Sequence, residues 1–416
     1  SNRYDYSYDG LNRLKKADFK TIGASGTADS RLFNEELIYD ANGNITNLKR
    51  NGKTSSSSTA GTLVDNLNYT YTGNRVTNIS DATSNPTGYK GTGQLITYDL
   101  NGNMKTFPDK GITQPIAYNF LNLPQSIVQN SNATNYLYRA DGTKVSKAFT
   151  LNGTTIDTDY LDGFVYTSTY TQQLEAALFE DDLATREAAT AGQEEALQLE
   201  QKVVVNNPPS VTAAKPSFFP TAEGFYDYDN YKYIYQYKDH LGNVRLSYSK
   251  NATTGLIAIE DTNDYYPFGL SFINGGASNY SPSTTYKNYK YNGKELQETG
   301  MYDYGARMYM PDIGRWGVLD GKGELYLSKS PYSYANNTPV NAIDPDGNIV
   351  IFINGMHTGE GGSSRYWTDY NSPVGRMQVA GGSWMTMYKR FDMAVMRQLN
   401  DYNAIYRDGA LGGAMN

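Results

Sequence analysis

A chain of 416 residues with 38 tyrosines, 40 glycines and no cysteine has room for two or three domains or one extended repeat array, and it excludes disulfides and thiolate metal sites. The formal net charge of −7 is matched by residues 172–201 alone, which hold eight acidic residues (Glu175, Glu180, Asp181, Asp182, Glu187, Glu194, Glu195, Glu200) against Arg186. The remainder is neutral, with no basic stripe for nucleic acid, no polybasic membrane patch and no transmembrane run of apolar residues.

The first residues, Ser-Asn-Arg-Tyr-Asp-Tyr-Ser-Tyr-Asp-Gly, carry neither a basic n-region nor an apolar h-region and begin in the middle of a repeat. They read as the continuation of a longer precursor, with any targeting signal upstream of Ser1. Tyrosine then marks a self-similar pattern. Tyr8-Asp9-Gly10-Leu11-Asn12-Arg13-Leu14, Tyr39-Asp40-Ala41-Asn42-Gly43-Asn44-Ile45 and Tyr98-Asp99-Leu100-Asn101-Gly102-Asn103-Met104 share one plan. Looser copies start at Tyr71, Tyr118 and Tyr138. Each predicts strand, tight turn, strand, with Asn-Gly or Asp-Gly supplying a type I′ turn that matches strand twist. One hairpin cannot bury its face alone, so successive hairpins are expected to stack into a continuous sheet over residues 1–171.

Residues 172–201 break the pattern. Leu174, Ala177, Leu178, Ala196, Leu197 and Leu199 fall at helix-like spacing, predicting an acidic α-helical or disordered insertion. Residues 203–219, with Pro208, Pro209 and Pro216 and with Pro220 close behind, read as a linker, so 172–220 is one unit. Strands resume near Phe225; residues 231–237 alternate strictly, and Asp239-His240-Leu241-Gly242-Asn243-Val244-Arg245 follows as a turn.

Residues 291–347 form a dense run of turn, aromatic and carboxylate residues ending in Asp344-Pro345-Asp346-Gly347. Together with the Asp239–Arg245 turn and Tyr265-Tyr266-Pro267-Phe268-Gly269, in that order, this block resembles the RHS-repeat-associated core, here assigned to 221–348. The hairpins over roughly residues 4–170 resemble YD repeats, and the motif wording resembles the Bacteroidetes-type branch of polymorphic toxins. The resemblance implies a mainly β fold, a hairpin spiral forming part of a hollow RHS shell. It also implies a variable effector after the core, a secreted or cell-surface location, and no cofactor. The implied partners are the upstream remainder of the shell, a secretion translocon such as the type nine system, and an immunity protein. A non-enzymatic cell-surface or adhesion protein, or secretion cargo without toxin activity, is the alternative.

In that family self-cleavage follows the terminal Asp-Pro-x-Gly-(Leu or Met) motif and is attributed to facing aspartates. The matching positions are Asp320 and Asp344. Two close carboxylates cannot both ionise, so one can serve as acid while the other activates water. Arg315, in Gly314-Arg315-Trp316, is a guanidinium suited to orient a carboxylate, although it and Arg307 also fit a stacking role in the sheet wall. The chain departs from the pattern at Gly321, where proline is usual, and at Asn348, where leucine or methionine is usual. The cleavage position is Asn348–Ile349. Asp346 reads as structural, and by composition alone each of these aspartates reads as a turn residue bonding its own backbone.

After Gly347 the residues 349–353 are continuously apolar, predicting a strand buried on both faces. The following loop, with Asn354, Gly355 and His357, resembles the start of an α/β-hydrolase sheet whose backbone amides face an oxyanion. Residues 384–399 predict an amphipathic helix with Met387, Phe391, Val395 and Leu399 on one face. No Gly-x-Ser-x-Gly occurs after residue 349, so residues 349–416 read as an incomplete α/β effector. His240, within its turn, is read as a turn residue; no zinc site and no calcium loop can be argued.

Overall fold

The computed structural model describes residues 2–23, 26–171, 210–251, 253–274, 285–326, 329–352, 373–378 and 384–388. Among these residues the chain is mainly β, the only helices being short 3-10 turns. A seven-stranded antiparallel sheet joins Asn2–Tyr8, Leu14–Gly23, Glu35–Tyr39, Ile45–Gly52, Thr62–Thr72 and Arg75–Asp81 in chain order, with Gly26–Ala28 also paired to the second strand. A twelve-stranded sheet runs in chain order from Ala117–Tyr118 to Ile257–Thr262. The short pair Thr97–Tyr98 and Met104–Thr106 lies between them in sequence.

Two kinds of turn build these sheets. In the Tyr-Asp repeats the aspartate side chain caps the loop: Asp40 Oδ1 accepts from the Asn44 amide at 2.8 Å, and Asp99 Oδ1 from the Asn103 amide at 2.8 Å. The Asp40 carbonyl accepts from the Gly43 amide at 3.2 Å, and Gly43 has φ +82°. That is a type I turn closed by a left-handed residue and a bulge, in place of the expected type I′ turn. Copies without glycine at that position place asparagine there, Asn12 at φ +62° and Asn122 at φ +60°. Type I′ geometry occurs between the repeats instead, at Asn152-Gly153 and Asp162-Gly163, where both residues have positive φ and the loops have two residues. Side-chain amides then link neighbouring turns, Asn44 to Asn74 at 2.9 Å and Asn103 to Asn122 at 2.8 Å.

The twelve-stranded sheet corrects the linker reading of 203–219. Lys215–Thr221 is a strand, with Val165 opposite Phe218 and a register shift where Pro216 faces Tyr166. Proline is accommodated at such an irregularity because no ladder hydrogen bond is demanded of it there. Because Phe164–Thr171 pairs directly with Lys215–Thr221, the sheet is continuous through the residue 221 boundary. The acidic insertion predicted at 172–201 lies outside the described residues.

Architecture changes at residue 285. The four-stranded sheet of Glu295–Leu296, Tyr302–Asp303, Met308–Met310 and Arg315–Trp316 has strands of two or three residues, joined by turns. Tyr291, Tyr302, Tyr309, Trp316 and Tyr334 of this block share one buried cluster with Leu14, Leu37, Leu48, Leu67 and Ile79 of the first sheet. The block is therefore the inner filling of the wall, and apolar burial is its main driving force.

Two further expectations are corrected. The apolar run 349–353 does not form the expected strand buried on both faces: among its described residues, 349–352, Ile351–Phe352 is the strand, paired with Ala342–Ile343, and Ile349, Val350 and Ile351 are half-buried. The helix predicted over 384–399 begins instead as the strand Trp384–Tyr388, antiparallel to Pro373–Gln378. A short apolar run fits both periods, and pairing decides between them; residues 389–399 lie outside the described residues. Among the described residues no helix is long and apolar enough to cross a membrane.

Candidate functional site

The strand Met308–Met310 is entered through Arg307, and the strand Arg315–Trp316 leads out to Asp320. Ala342–Ile343 leads into the Asp344-Pro345-Asp346-Gly347 turn. These three entries converge. Arg307 Nη2 donates to Asp320 Oδ2 at 2.9 Å and to Asp344 Oδ2 at 3.0 Å, so one nitrogen bridges both carboxylates. Arg307 Nε donates to the Gly347 carbonyl, Nη1 reaches the Pro331 carbonyl at 3.4 Å, and the guanidinium lies 4.3 Å from the Trp316 ring centroid. Asp344 is buried, its other oxygen accepting from the Gly347 amide at 2.8 Å. Asp320 Oδ1 accepts from the Lys322 amide at 2.8 Å.

The turn needs its glycine. Gly347 has φ +83°, and a Cβ there would sit 3.0 Å from the Arg307 backbone nitrogen, so a side chain would push the motif off the arginine.

Burial pushes the Asp344 carboxyl up to about 6; the charges of Asp320 and Asp346 act in the same direction, against Arg307 and the Gly347 amide. Burial also raises Asp320, with Arg307 opposing. One cation shared by the buried Asp344 and the half-buried Asp320 leaves one negative charge in excess, the condition in which one carboxyl retains a proton beside an ionised partner. Such a pair can supply an acid and a base to one reaction.

Beside this pair lies a cavity of about 560 Å3 whose walls include Leu121 and Leu123 of a repeat turn, Leu319, Asp303, Asp346 and Asn348. Asp346 Oδ1 accepts from the Asn348 amide at 3.0 Å and the Ile349 amide at 3.1 Å, the turn role expected of it. Gly321 and Asn348, the two departures from the family pattern, meet in space: a Cβ at Gly321 would lie 3.6 Å from Asn348 Oδ1.

The structure thus brings Asp320 and Asp344 together on Arg307, and Arg315 does not reach either carboxylate. Arg315 Nη1 donates to the Tyr71 hydroxyl at 2.8 Å and Nη2 to the Asn74 carbonyl at 2.7 Å, with the guanidinium over the Tyr71 and Tyr332 rings. It ties the inner block to the turns of the wall, and Arg307 takes the carboxylates. The register of the short strands, Met310 opposite Arg315 and Tyr309 opposite Trp316, decides which arginine reaches which side, and adjacency in sequence gives no access to it. His240 sits in its turn, its Nε2 3.2 Å from the Val340 carbonyl. Asn354, Gly355 and His357 lie outside the described residues.

No family model matches the chain. Among curated proteins it is 37% identical over 125 residues to salivary gland surface protein 1 of Aedes aegypti, covering 30% of this chain and 3% of that protein. It is 38% identical over 84 residues to toxin subunit YenC2 of Yersinia entomophaga, covering 20% of this chain and 8% of the subunit. Toxin subunit YenC1 of the same bacterium is 34% identical over 113 residues, 27% of this chain and 11% of the subunit. Each match therefore spans a small part of its relative. Among solved structures, the crystal structure of TcdB2-TccC3-Cdc42 aligns with 83% of this chain and 17% of that one, at 18% identity and a TM-score of 0.49. The likeness in sequence to toxin subunits supports the RHS-type resemblance carried by the repeats and the core block.

Proposed function

We propose that this chain is part of a secreted RHS-type toxin shell that encloses and delivers the effector beginning after Asn348, and that it cuts itself between Asn348 and Ile349. The observation that carries the cleavage is the convergence of Asp320 and Asp344 on Arg307, whose Nε also binds the carbonyl of Gly347, one residue before the cleavage position. The ionised carboxylate takes a proton from water, and the water oxygen bonds to the Asn348 carbonyl carbon. The protonated carboxyl polarises that carbonyl; as the C–N bond breaks, the Ile349 nitrogen takes a proton. The products are an Asn348 carboxylate and an Ile349 ammonium.

The Bacteroidetes-type wording of the core motifs suggests export by the type nine machinery, and the upstream shell and an immunity protein are the partners this role demands. Intact mass of the purified full chain tests the cleavage. The expected result is two fragments joined at Asn348–Ile349 in the parent, and a single uncut species for Asp320→Asn and Asp344→Asn. An uncut wild-type chain refutes self-cleavage.

The likeness to a salivary gland surface protein favours a second reading, a non-enzymatic surface protein. Expression of residues 349 onward, extended to the natural stop, separates the two: toxicity to the host supports the shell, and harmless accumulation of a folded product supports the surface role.

A further inference from the structure

We infer that Asp346 holds the cut product, its carboxylate pairing with the α-ammonium that hydrolysis creates on Ile349. This rests on the proposed cleavage and adds a product-binding role that the carboxylate pair does not have. Asp346 Oδ1 already accepts from the Ile349 amide at 3.1 Å. Hydrolysis replaces that neutral donor with a cationic one at the same atom, so the acceptor is in place before the bond breaks.

The rest of the turn keeps it there. The Asp346 carbonyl accepts from the Ala306 amide at 3.0 Å, anchoring the turn to the inner block. Ala342 pairs with Phe352 and Ile343 with Ile351, so the cleavage position lies in a loop between two strands that pair across it. Cutting the loop leaves that pairing intact. Asp346 and Asn348 both line the 560 Å3 cavity, which has room for the attacking water and for the new Asn348 carboxylate.

The surrounding charges favour a cation at Ile349. Asp303 and Asp141 line the same cavity, and Asp320 and Asp344 lie behind the turn. Of the nearby cations, Lys144 pairs with Glu295 and Asp303 and Arg307 with Asp320 and Asp344, while the Lys294 charge, over the Tyr304 ring, is shared among Asp303, Asp344 and Asp346. Asp346 is exposed, so its pair with the ammonium is screened by salt.

The test labels the α-amine of Ile349 in the cut full-length protein with limiting acetic anhydride across the amine titration range, read by mass spectrometry. At low ionic strength the labelling midpoint of the folded protein is expected about half a pH unit above that of the same cut chain in urea, the size of a solvent-screened ion pair. Asp346→Asn should remove that difference, and about 1 M sodium chloride should shrink it. A folded wild-type amine titrating as it does in urea overturns the role of Asp346 with cleavage intact, and this arm needs no variant to fold. A midpoint unchanged by Asp346→Asn in a folded, cut variant overturns it equally. A chain with no Ile349 amine to label, because it is uncut, overturns the cleavage reading and this one with it.

Discussion

In the wall, strands such as Leu14–Gly23 and Thr62–Thr72 run ten and eleven residues, whereas in residues 285–352 the strands are two or three residues long. The wall satisfies its backbone through ladders between neighbours in sequence. Between the inner block and the rest of the chain, tyrosine hydroxyls cap carbonyls in both directions: Tyr69 donates to the Ile313 carbonyl of the block, while Tyr309, Tyr332 and Tyr291 of the block donate to the Phe268, Gly102 and Pro267 carbonyls. Tyrosine donates within the wall as well, Tyr39 to the Leu14 carbonyl and Tyr71 to the Ile45 carbonyl; what sets the block apart is that its tyrosine bonds reach far along the sequence. A backbone without ladders still has to place its buried carbonyls on donors, and a phenol reaches them while its ring fills the core. The two regions therefore differ in how they fail: the wall loses one neighbour contact at a time, and the block loses its whole placement when a long-range contact goes.

The sharpest break in this comparison is at Arg50, a wall residue whose guanidinium pairs with Glu35 at 2.8 Å and Asp65 at 3.3 Å and donates to the Asp312 carbonyl of the block at 2.7 Å. All three side chains are buried. Arg50→Met strands two buried carboxylates and should cost about 3–5 kcal/mol in urea unfolding.

A smaller effect is expected from the Asp344 proton. Its carboxyl is raised to about 6 in the folded chain and lies near 3.9 in an unfolded one, so between those values the folded state binds a proton that the unfolded state has released. Its stabilising contribution is complete below the lower value and is lost as pH rises through the upper one. Relative to Asp344→Asn, the wild type should lose up to about 3 kcal/mol over that window and track the variant above it, measured by urea midpoints at a series of pH values.

Tyr309→Phe tests the tyrosine donors by themselves. It leaves the Phe268 carbonyl without the 2.7 Å hydroxyl and should cost about 1–3 kcal/mol. Least affected should be the wall's turn tips: Leu100 is fully exposed, and Leu100→Ser should change stability by about 0.5 kcal/mol or less. A wall-tip change as costly as the phenol deletion would remove the distinction between the regions.

Legibility in the sequence follows the same division. The hairpins are readable because aspartate capping and a left-handed glycine or asparagine act within five residues, even though the turn proves to be type I with a bulge. The strand Lys215–Thr221 is obscured by Pro216 and Pro220; Pro216 falls at a register shift, whereas Pro220 sits in register opposite Phe225. At 384–388 a short apolar run carries both periods, and its antiparallel partner selects the strand. Asp320 and Asp344 could be placed from the core-block motifs, but the choice between Arg307 and Arg315 could not, since both arginines sit among aromatic residues.

The amino-acid sequence by itself determined the repeating hairpins, the turn residues that terminate them and the two aspartates of the site, because each rests on interactions between near neighbours or on a motif. Only the tertiary structure decided that Arg307 bridges those aspartates while Arg315 grips Tyr71 and Asn74 of the wall. The reason is physical: which guanidinium meets which partner depends on strand register and on the packing of the block inside the sheets, and neither is a property of any short stretch of chain.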